Sequence, residues 1–473
     1  MALGRRQDER QEDLFVVRDQ LPRSAGHVFY RRLNQLLAET GFDRWVEQTC
    51  QEHYAAQGRG RPSIPPGVYF RMLLVGYFEG IGSQRGIAWR CHDSLSLREF
   101  LGISLTEDSP DHSSLTRVRE RLPVSVHVAA FEFVLKVARE KRLLKGKTVG
   151  VDSTMLEANA AMKTIVRTET GEDWRAYLVG LMKEAGVIEP DEEPTDEDVR
   201  RFDKKRKNKK VSNEDWQSGS DPDARITRMK DGRTHLAYKA EHVVDLESEL
   251  ILAAPVYHAD QSDHQTLVDS VMEAQVHLEE AGVETTITEV IADKGYHSAE
   301  QIELAGALGL RTYIPEPDRK YRRRWTDKPR EQQRAVYGNR RRTDTDKGRR
   351  LQRLRSERVE RSFAHVCATG GARRTWLRGI EKIQKRHLLV AVARNLGLIM
   401  RSLFRLGTPR GMQGCDSARE GLAALACLAW IVTSTRRIAV TALGHWIRHA
   451  QQLAIRKPFY YMNARMARCS TGC

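Results

Sequence analysis

The stretch TVGVDSTML at residues 148–156 is the part of the chain from which the fold can be worked out. It has the β-branched, apolar composition of a strand, interrupted by the carboxylate of Asp152, and a buried strand tolerates a charge poorly unless the charge has a partner. The same pattern recurs in VIADKGY at 290–296, where an apolar run ends in Asp293 before a glycine turn. A third acid, Glu360, lies in RVERSF at 358–363, inside an arginine-rich helical pattern. Two strand-end aspartates and a helical glutamate predict a divalent-metal site.

The chemistry of phosphodiesters explains why three acids of this kind would be used together. Cleavage needs an activated water or hydroxyl and neutralisation of charge at the leaving oxygen. Two Mg²⁺ ions about 4 Å apart supply both, and such hard cations prefer carboxylate oxygens. A short Asp at a strand end is fixed by the sheet, whereas a longer Glu can reach the site from a helix.

The helix offers two glutamates, Glu357 and Glu360, and the helical wheel favours the second. Val359, Phe363 and Val366 form an apolar stripe. Glu360 lies roughly 90° from the centre of that stripe and Glu357 roughly 150° away. A site that borders the core rather than bulk solvent therefore selects Glu360.

Each acid alone has a simpler explanation. A strand-end Asp is usually a turn former or helix cap, and a Glu among arginines is usually a surface ion pair. The order of the three acids, with a basic stretch leading into the last, favours the metal site over these alternatives.

Composition indicates a soluble globular protein with a polyanionic partner. The chain has 473 residues, more than one ordinary core, and a net charge of +15 with a pI near 9.5. The seven cysteines form no Cys-x-x-Cys pair, so neither a disulfide framework nor a zinc site is expected. The N-terminus lacks the apolar core of a signal peptide, and the longest apolar run, 421–432, is shorter than the ~20 residues that span a bilayer. We expect a cytoplasmic, nucleoid-associated protein with no membrane segment.

Most of the positive charge is concentrated in one segment, residues 319–358. It holds 17 Lys and Arg against 5 Asp and Glu, with aromatic residues interleaved. A solvated loop is a weaker explanation than a surface that follows phosphates and stacks bases. Arg341 and Arg342 are its DNA-binding candidates.

The pattern of elements predicts three regions. Residues 20–145 read as short helices joined by tight turns, either a helix-turn-helix DNA-binding domain or a small helical bundle for dimerisation. Residues 146–406 alternate strands and helices, including a β-hairpin at 235–257, which indicates an α/β catalytic domain. Within it, 162–231 is a charged insertion or mobile linker. Residues 407–473 are predicted to be a helical C-terminal tail.

Several separated motifs resemble those of bacterial insertion-sequence transposases of the DDE class. They are DSTMLEANA at 152–160, DKGY at 293–296 and VERSFAH at 359–365, with RGIAWR at 85–90 and DHSSL at 111–115 resembling the N-terminal transposase domain of that family. The resemblance covers about residues 65–405. It implies an α/β, RNase H-like mixed sheet flanked by helices, preceded by an all-α domain. It further implies Asp152, Asp293 and Glu360 as ligands of Mg²⁺ (or Mn²⁺), with two ions expected.

The positions around Glu360 depart from those of some family members. Those members carry Tyr, Arg and Lys at fixed offsets where this chain has Arg353, Ser356 and Cys367. Other arginines are therefore candidates to hold phosphates: Arg361, Arg373 and Arg374.

The expected function is that of a DNA transposase. It would bind the terminal inverted repeats of its element in double-stranded DNA, cleave them, and transfer the freed 3′-hydroxyl to target DNA by in-line phosphoryl transfer. Synapsis of two ends implies a homodimer. The alternatives are an inactive transposase remnant that acts as a DNA-binding regulator, and a metal-dependent nuclease that cuts without joining.

Overall fold

The computed structural model describes residues 17, 20–21, 25–55, 63–207, 211–229 and 231–409. Residues 1–410 fall into one compact unit, so the N-terminal helices and the sheet belong together. The predicted C-terminal tail lies almost wholly outside the described residues.

In the described part of the chain, seven α-helices precede the first strand. They are α1 (Ala25–Glu39), α2 (Phe42–Cys50), α3 (Pro66–Glu79), α4 (Gln84–Asp93), α5 (Leu95–Leu101), α6 (His112–Arg121) and α7 (Val124–Glu140). The buried Arg71 of α3 joins three neighbours, since its guanidinium donates to Asn34, Asp43 and the carbonyl of Phe100. Asp111 caps α6, because its Oδ1 accepts from the Ser114 amide at 2.7 Å.

The remaining elements alternate between strands and helices. They are β1 (Thr148–Glu157), β2 (Ile165–Arg167), α8 (Trp174–Glu184), α9 (Asp196–Lys205), β3 (Trp216–Ser218), β4 (Arg225–Arg228), β5 (Thr234–Asp245), β6 (Ile251–Ala253), β7 (Val256–His258), α10 (Asp263–Glu280), β8 (Glu289–Ile291), α11 (Ala299–Ala307), β9 (Arg311–Tyr313), α12 (Arg330–Thr343), α13 (Asp346–Ala364) and α14 (Ile380–Phe404).

The main sheet is mixed and has β1 near its centre. One edge of β1 pairs antiparallel with β5, and the other pairs parallel with β8, which pairs parallel with β9. The other edge of β5 pairs antiparallel with three short strands. From the N-terminal to the C-terminal end of β5 these are β4, β7 and β6. The predicted hairpin is confirmed, with its return strand broken into β6 and β7 at Ala254–Pro255. The predicted α/β class, a mixed sheet flanked by helices after an all-α region, is confirmed.

Helices cover both faces of the sheet. Successive strand residues point to opposite faces. Ser153 therefore contacts α10 through Asp263, whereas Asp152 contacts α13 through Arg355. Helix α14 lies on the α13 side, where His387 meets His242 of β5.

The segment 162–231 is folded in its described part, so its interpretation as a mobile linker is wrong. Strands β2 and β3 pair with each other, and Trp174, Tyr177 and Trp216 pack together with ring centroids 5.0–6.0 Å apart. Its last strand, β4, belongs to the main sheet. The segment is thus continuous with the main sheet.

Helix α14 is long and apolar enough to cross a membrane by length and composition alone, but 72% of its apolar window is buried inside the protein. This helix is therefore a core element of the protein. It contributes a run of buried side chains that includes Leu388, Ala391 and Leu396.

Candidate active site at the ends of β1 and β8

The sheet register places the two predicted aspartates at the same edge. Asp152 pairs with His242 on β5, two residues beyond the last β1 residue paired with β8. Strand β8 ends at Ile291, and Asp293 follows two residues later. Asp152 lies inside β1 and not at its end, so its predicted strand-end position is wrong, whereas Asp293 does follow the end of β8. Because β1 and β8 are parallel neighbours, the chain beyond Ile291 continues alongside the part of β1 that holds Asp152. Asp152 and Asp293 are thus brought together.

Asp152 is partly buried and held by two donors. Its Oδ1 accepts from the Ser153 amide at 2.8 Å, and its Oδ2 accepts from Arg355 Nη1 at 2.9 Å. Burial raises the pKa of Asp152, while the Arg355 charge opposes that rise. The charges of Asp293 and Asp263 raise the pKa further, so three carboxylates are close enough to repel one another.

Asp293 caps the turn that follows β8. Its Oδ1 accepts from the Gly295 amide at 2.8 Å. A Cβ on Gly295 would lie 3.0 Å from Asp263 Oδ2 and 3.1 Å from Asp293 Oδ1. Glycine therefore lets two carboxylates approach the same point of the backbone.

Asp263 is a site residue that the sequence interpretation missed. It receives a hydrogen bond from Ser153 Oγ at 2.8 Å and pairs with Lys239 Nζ at 2.9 Å. Helix α10 begins at Asp263 after a capping box formed by Ser262 and Gln265. That Ser-x-x-Gln signal could have placed Asp263 at a helix start, although not beside β1.

A buried polar network supports this edge from the α10 side. Lys239 and Glu241 of β5 are fully buried and 3.4 Å apart. Glu241 Oε2 accepts from Thr266 Oγ1 at 2.8 Å and from the Tyr296 hydroxyl at 2.9 Å. Since Tyr296 follows Asp293 in the same turn, the network fixes the strand end that carries Asp293. Such buried charges are tolerated because each has a partner.

Helix α13 runs across the same edge and carries Glu360. Gln352 Nε2 donates to the carbonyls of Ala292 and Tyr313, which fastens α13 to the ends of β8 and β9. Ser356 and Glu360 follow at helical spacing on the same side. Glu360 is exposed and accepts from Ser356 Oγ at 2.7 Å. Glu357 is bound to Arg361, as a surface ion pair would be.

The third carboxylate does not join the other two in this conformation. Within the described ranges, no group of three or more His, Cys, Asp or Glu side chains is spaced to hold a metal ion. The carboxylate oxygens at the edge nevertheless suit a hard divalent cation. The negative charges of Asp293 and Asp263 repel that of Asp152, and a bound cation would neutralise this repulsion.

The DNA-binding candidates divide into two groups. Arg341, Arg373 and Arg374 are exposed, although Arg374 also lies 3.8 Å from Glu157. Arg342 instead donates to the Thr312 carbonyl, and Arg361 pairs with Glu249 and Glu357. To bind a phosphate, Arg342 and Arg361 would have to release these protein partners. Their role in DNA binding stays a prediction.

Many of the charges of segment 319–358 are used inside the protein. Three ion pairs join acids of the segment itself: Arg322–Asp344, Arg323–Asp327 and Arg349–Asp346. Three others join acids outside it: Arg340–Glu316, Lys347–Glu289 and Arg355–Asp152. The net charge of the segment therefore overstates what it can offer to DNA.

A mixed sheet with an acidic edge, crossed by a basic helix and preceded by a helical region, is the architecture of an RNase H-like DNA-acting protein. Residues 15–121 match the transposase domain DUF772, and residues 215–396 match the transposase DDE domain. The chain belongs to the insertion-sequence transposases of the DDE class. Asp293 and Glu360 lie inside the second match, whereas Asp152 lies outside both. No curated protein and no solved structure matches the chain.

Proposed function

We propose that this transposase binds the terminal inverted repeats of its element and catalyses metal-dependent cleavage and strand transfer at the edge formed by Asp152 and Asp293. The observation that carries the proposal is the meeting of these two aspartates on parallel neighbouring strands. Asp152 and Asp293 would hold Mg²⁺ or Mn²⁺, and Glu360 would complete the ligand set from α13. A homodimer would bring two element ends together, with the protein acting at the nucleoid.

The bound ions would supply charge neutralisation and an acidified water or 3′-hydroxyl. The protein's own residues position the rest. The capped turn after β8 fixes the Asp293 carboxylate through the Gly295 amide, and Arg355 fixes that of Asp152. Exposed Arg373 and Arg374, together with Arg341, would hold phosphates on either side of the scissile bond, with Arg342 and Arg361 after partner exchange. Both steps are in-line transfers, so no nucleophilic side chain is required.

The direct test is an Asp293→Asn variant. The amide keeps the size of the side chain but removes the charge, so we expect DNA binding to persist and Mg²⁺-dependent strand cleavage to fall by at least about 10³-fold, the scale of a lost electrostatic catalytic group. Asp318→Asn is the matched control, because Asp318 is nearby, 86% exposed and paired only with Lys294. Cleavage retained by Asp293→Asn would overturn the assignment.

The regulator alternative has one observation in its favour. Asp152 Oδ2 is occupied by Arg355, and Glu360 stands apart, an arrangement that suits a protein without catalysis. A strand-transfer assay on a fragment carrying the element's ends separates the alternatives. A regulator binds without cutting, a nuclease cuts without joining, and a transposase does both.

A further inference from the structure

A cavity of about 810 Å³ lies between the N-terminal helices and α14, and none of the residues of the acidic edge lines it. Helices α3, α4 and α6 form one wall, and α14 with the loop at 370–377 forms the other. The volume is in the range of small-molecule sites. No function was predicted from the sequence for the residues that line this cavity.

The charged side chains that line the cavity all have one sign. They are Arg85, Arg119 and Arg386, and neither Asp nor Glu lines it. Within the described parts of the chain, Arg119 has no ion-pair partner, and its Nε is buried without a hydrogen bond. Arg386 donates only to the carbonyls of Gly371 and Arg374. Gln84 Nε2 is a further buried donor without a partner.

Two partly buried guanidinium groups that line one cavity are costly without an anion. Burial lowers the pKa of both arginines, and the charge of Arg119 lowers the pKa of Arg386 further, so the two repel. An anion that accepts from both would remove that cost. The planar guanidinium group of arginine can donate two parallel hydrogen bonds to the oxygens of a phosphate.

The rest of the wall suits a flat, largely apolar group. Leu73, Ile87 and Leu389 line the interior, and the indole of Trp376 stands at the rim with 54% of its surface exposed. Arg374 lies over that ring, 5.4 Å from its centroid. Exposed indoles beside arginines are typical stacking surfaces for nucleobases.

We infer that this cavity is a nucleotide-binding site, in which Arg119 and Arg386 hold a phosphate and Trp376 stacks on the base. The source of the nucleotide is either a free mononucleotide or a 5′-phosphorylated nucleotide at a DNA strand end. The inference does not rest on the proposed catalysis, because binding here needs neither the acidic edge nor a metal.

The experiment is calorimetric titration of the full-length protein, without divalent metal, against dAMP, deoxyadenosine and inorganic phosphate. We expect dAMP to bind at least tenfold more tightly than either fragment. Arg119→Gln should weaken dAMP binding at least tenfold, whereas Arg117→Gln, on the exposed side of the same helix, should not change it. Equal affinity in Arg119→Gln, or no dAMP binding at millimolar concentration, would overturn the inference.

Two further measurements identify the base contact and the source. Trp376→Ala should reduce dAMP affinity to that of phosphate, and an unchanged affinity would contradict base stacking. A short 5′-phosphorylated single strand that displaces dAMP from the wild-type protein, when the same strand without its 5′-phosphate does not, identifies a strand end as the source. Competition by free nucleotides alone identifies the mononucleotide. Asp293→Asn should bind dAMP normally, so failure of this inference and failure of the catalytic proposal are separable.

Discussion

Asp263 contacts both sides of the acidic edge. Its carboxylate holds Ser153, the neighbour of Asp152, and neutralises the buried Lys239. It also lies across Gly295 from Asp293. We regard Asp263 as a positioning residue, which keeps the two strand ends at a fixed separation.

An Asp263→Asn variant tests this role. The amide can still accept from Ser153 but loses the ion pair with Lys239, so we expect cleavage to fall about 10–100-fold, as for outer-shell partners of metal ligands. The free energy of unfolding should fall by about 1–3 kcal/mol, since a buried charge loses one partner.

The measurements are strand cleavage across a Mg²⁺ titration and urea unfolding. Asp269→Asn, an exposed acid on the same helix, is the control and should behave as wild type. Unchanged cleavage by Asp263→Asn at every Mg²⁺ concentration would show that Asp263 does not position the site.

Residue-level patterns predicted the acids that end apolar runs but not their contacts. Asp152 and Asp293 stand out because each interrupts or ends a β-branched stretch. Asp263 and Arg355 carry no such signal, since an Asp at a helix start and an Arg among arginines are ordinary. Only the fold shows that both touch the catalytic edge.

At the scale of elements, the packing of α13 on β1 depends on one residue without a side chain. A Cβ on Gly150 would lie 2.8 Å from Leu246 Cδ2, 2.9 Å from Val359 Cγ2 and 3.1 Å from Arg355 Cγ. Two of these atoms belong to α13, the helix that carries Glu360. The absence of a side chain at Gly150 therefore allows α13 to pack closely against β1.

We predict that Gly150→Ala destabilises the protein by about 1–3 kcal/mol, the usual cost of overpacking, because α13 must move away from β1. Gly180→Ala in α8 is the matched control. A Cβ there meets nothing within 4 Å, so the change should be neutral or stabilising by up to about 1 kcal/mol. Thermal unfolding of both variants checks this, and equal melting temperatures for the two would contradict it.

Apolar elements can be recognised in the sequence, and polar helices cannot. Helices α3 and α14 are continuous apolar runs that are buried on most sides, and the apolar pattern of β5 predicted the first strand of the hairpin. Helix α12 buries only Val336 and Asn339, so its sequence offers no apolar period, and the segment was interpreted only as basic. Its position comes from tertiary contacts, such as the Asn339 side chain bonded to both the amide and the carbonyl of Ile314.

At the scale of the whole molecule, the net charge of the sequence overstates how much positive charge is available to bind DNA. The total of +15 indicates a polyanionic partner, but it cannot tell which arginines are occupied by acids from distant parts of the chain. Arg340, for example, is held by Glu316, whereas Arg341 beside it is exposed.

The salt dependence of DNA binding should follow the exposed arginines. Replacing Arg341, Arg373 and Arg374 together with Gln should reduce the slope of log K against log salt by about 2–3, roughly one counterion per lost phosphate contact. The control is Arg322→Gln, since Arg322 is already paired with Asp344, and its slope should change little. Filter binding at several salt concentrations measures both, and an unchanged slope in the triple variant would exclude these arginines from the interface.

The continuous pairing of β1 with β5 has a consequence for how such a chain can diversify. The ladder runs without interruption from Val149 opposite Asp245 to Glu157 opposite Ala237. The two strands are thus the arms of one hairpin, and residues 158–224 with the edge strand β4 take the place of its connecting turn. A connection whose two ends are one strand spacing apart can be lengthened, shortened or exchanged as a module without shifting the register of Asp152. The length and content of this module can therefore change while the position of Asp152 in the sheet stays fixed.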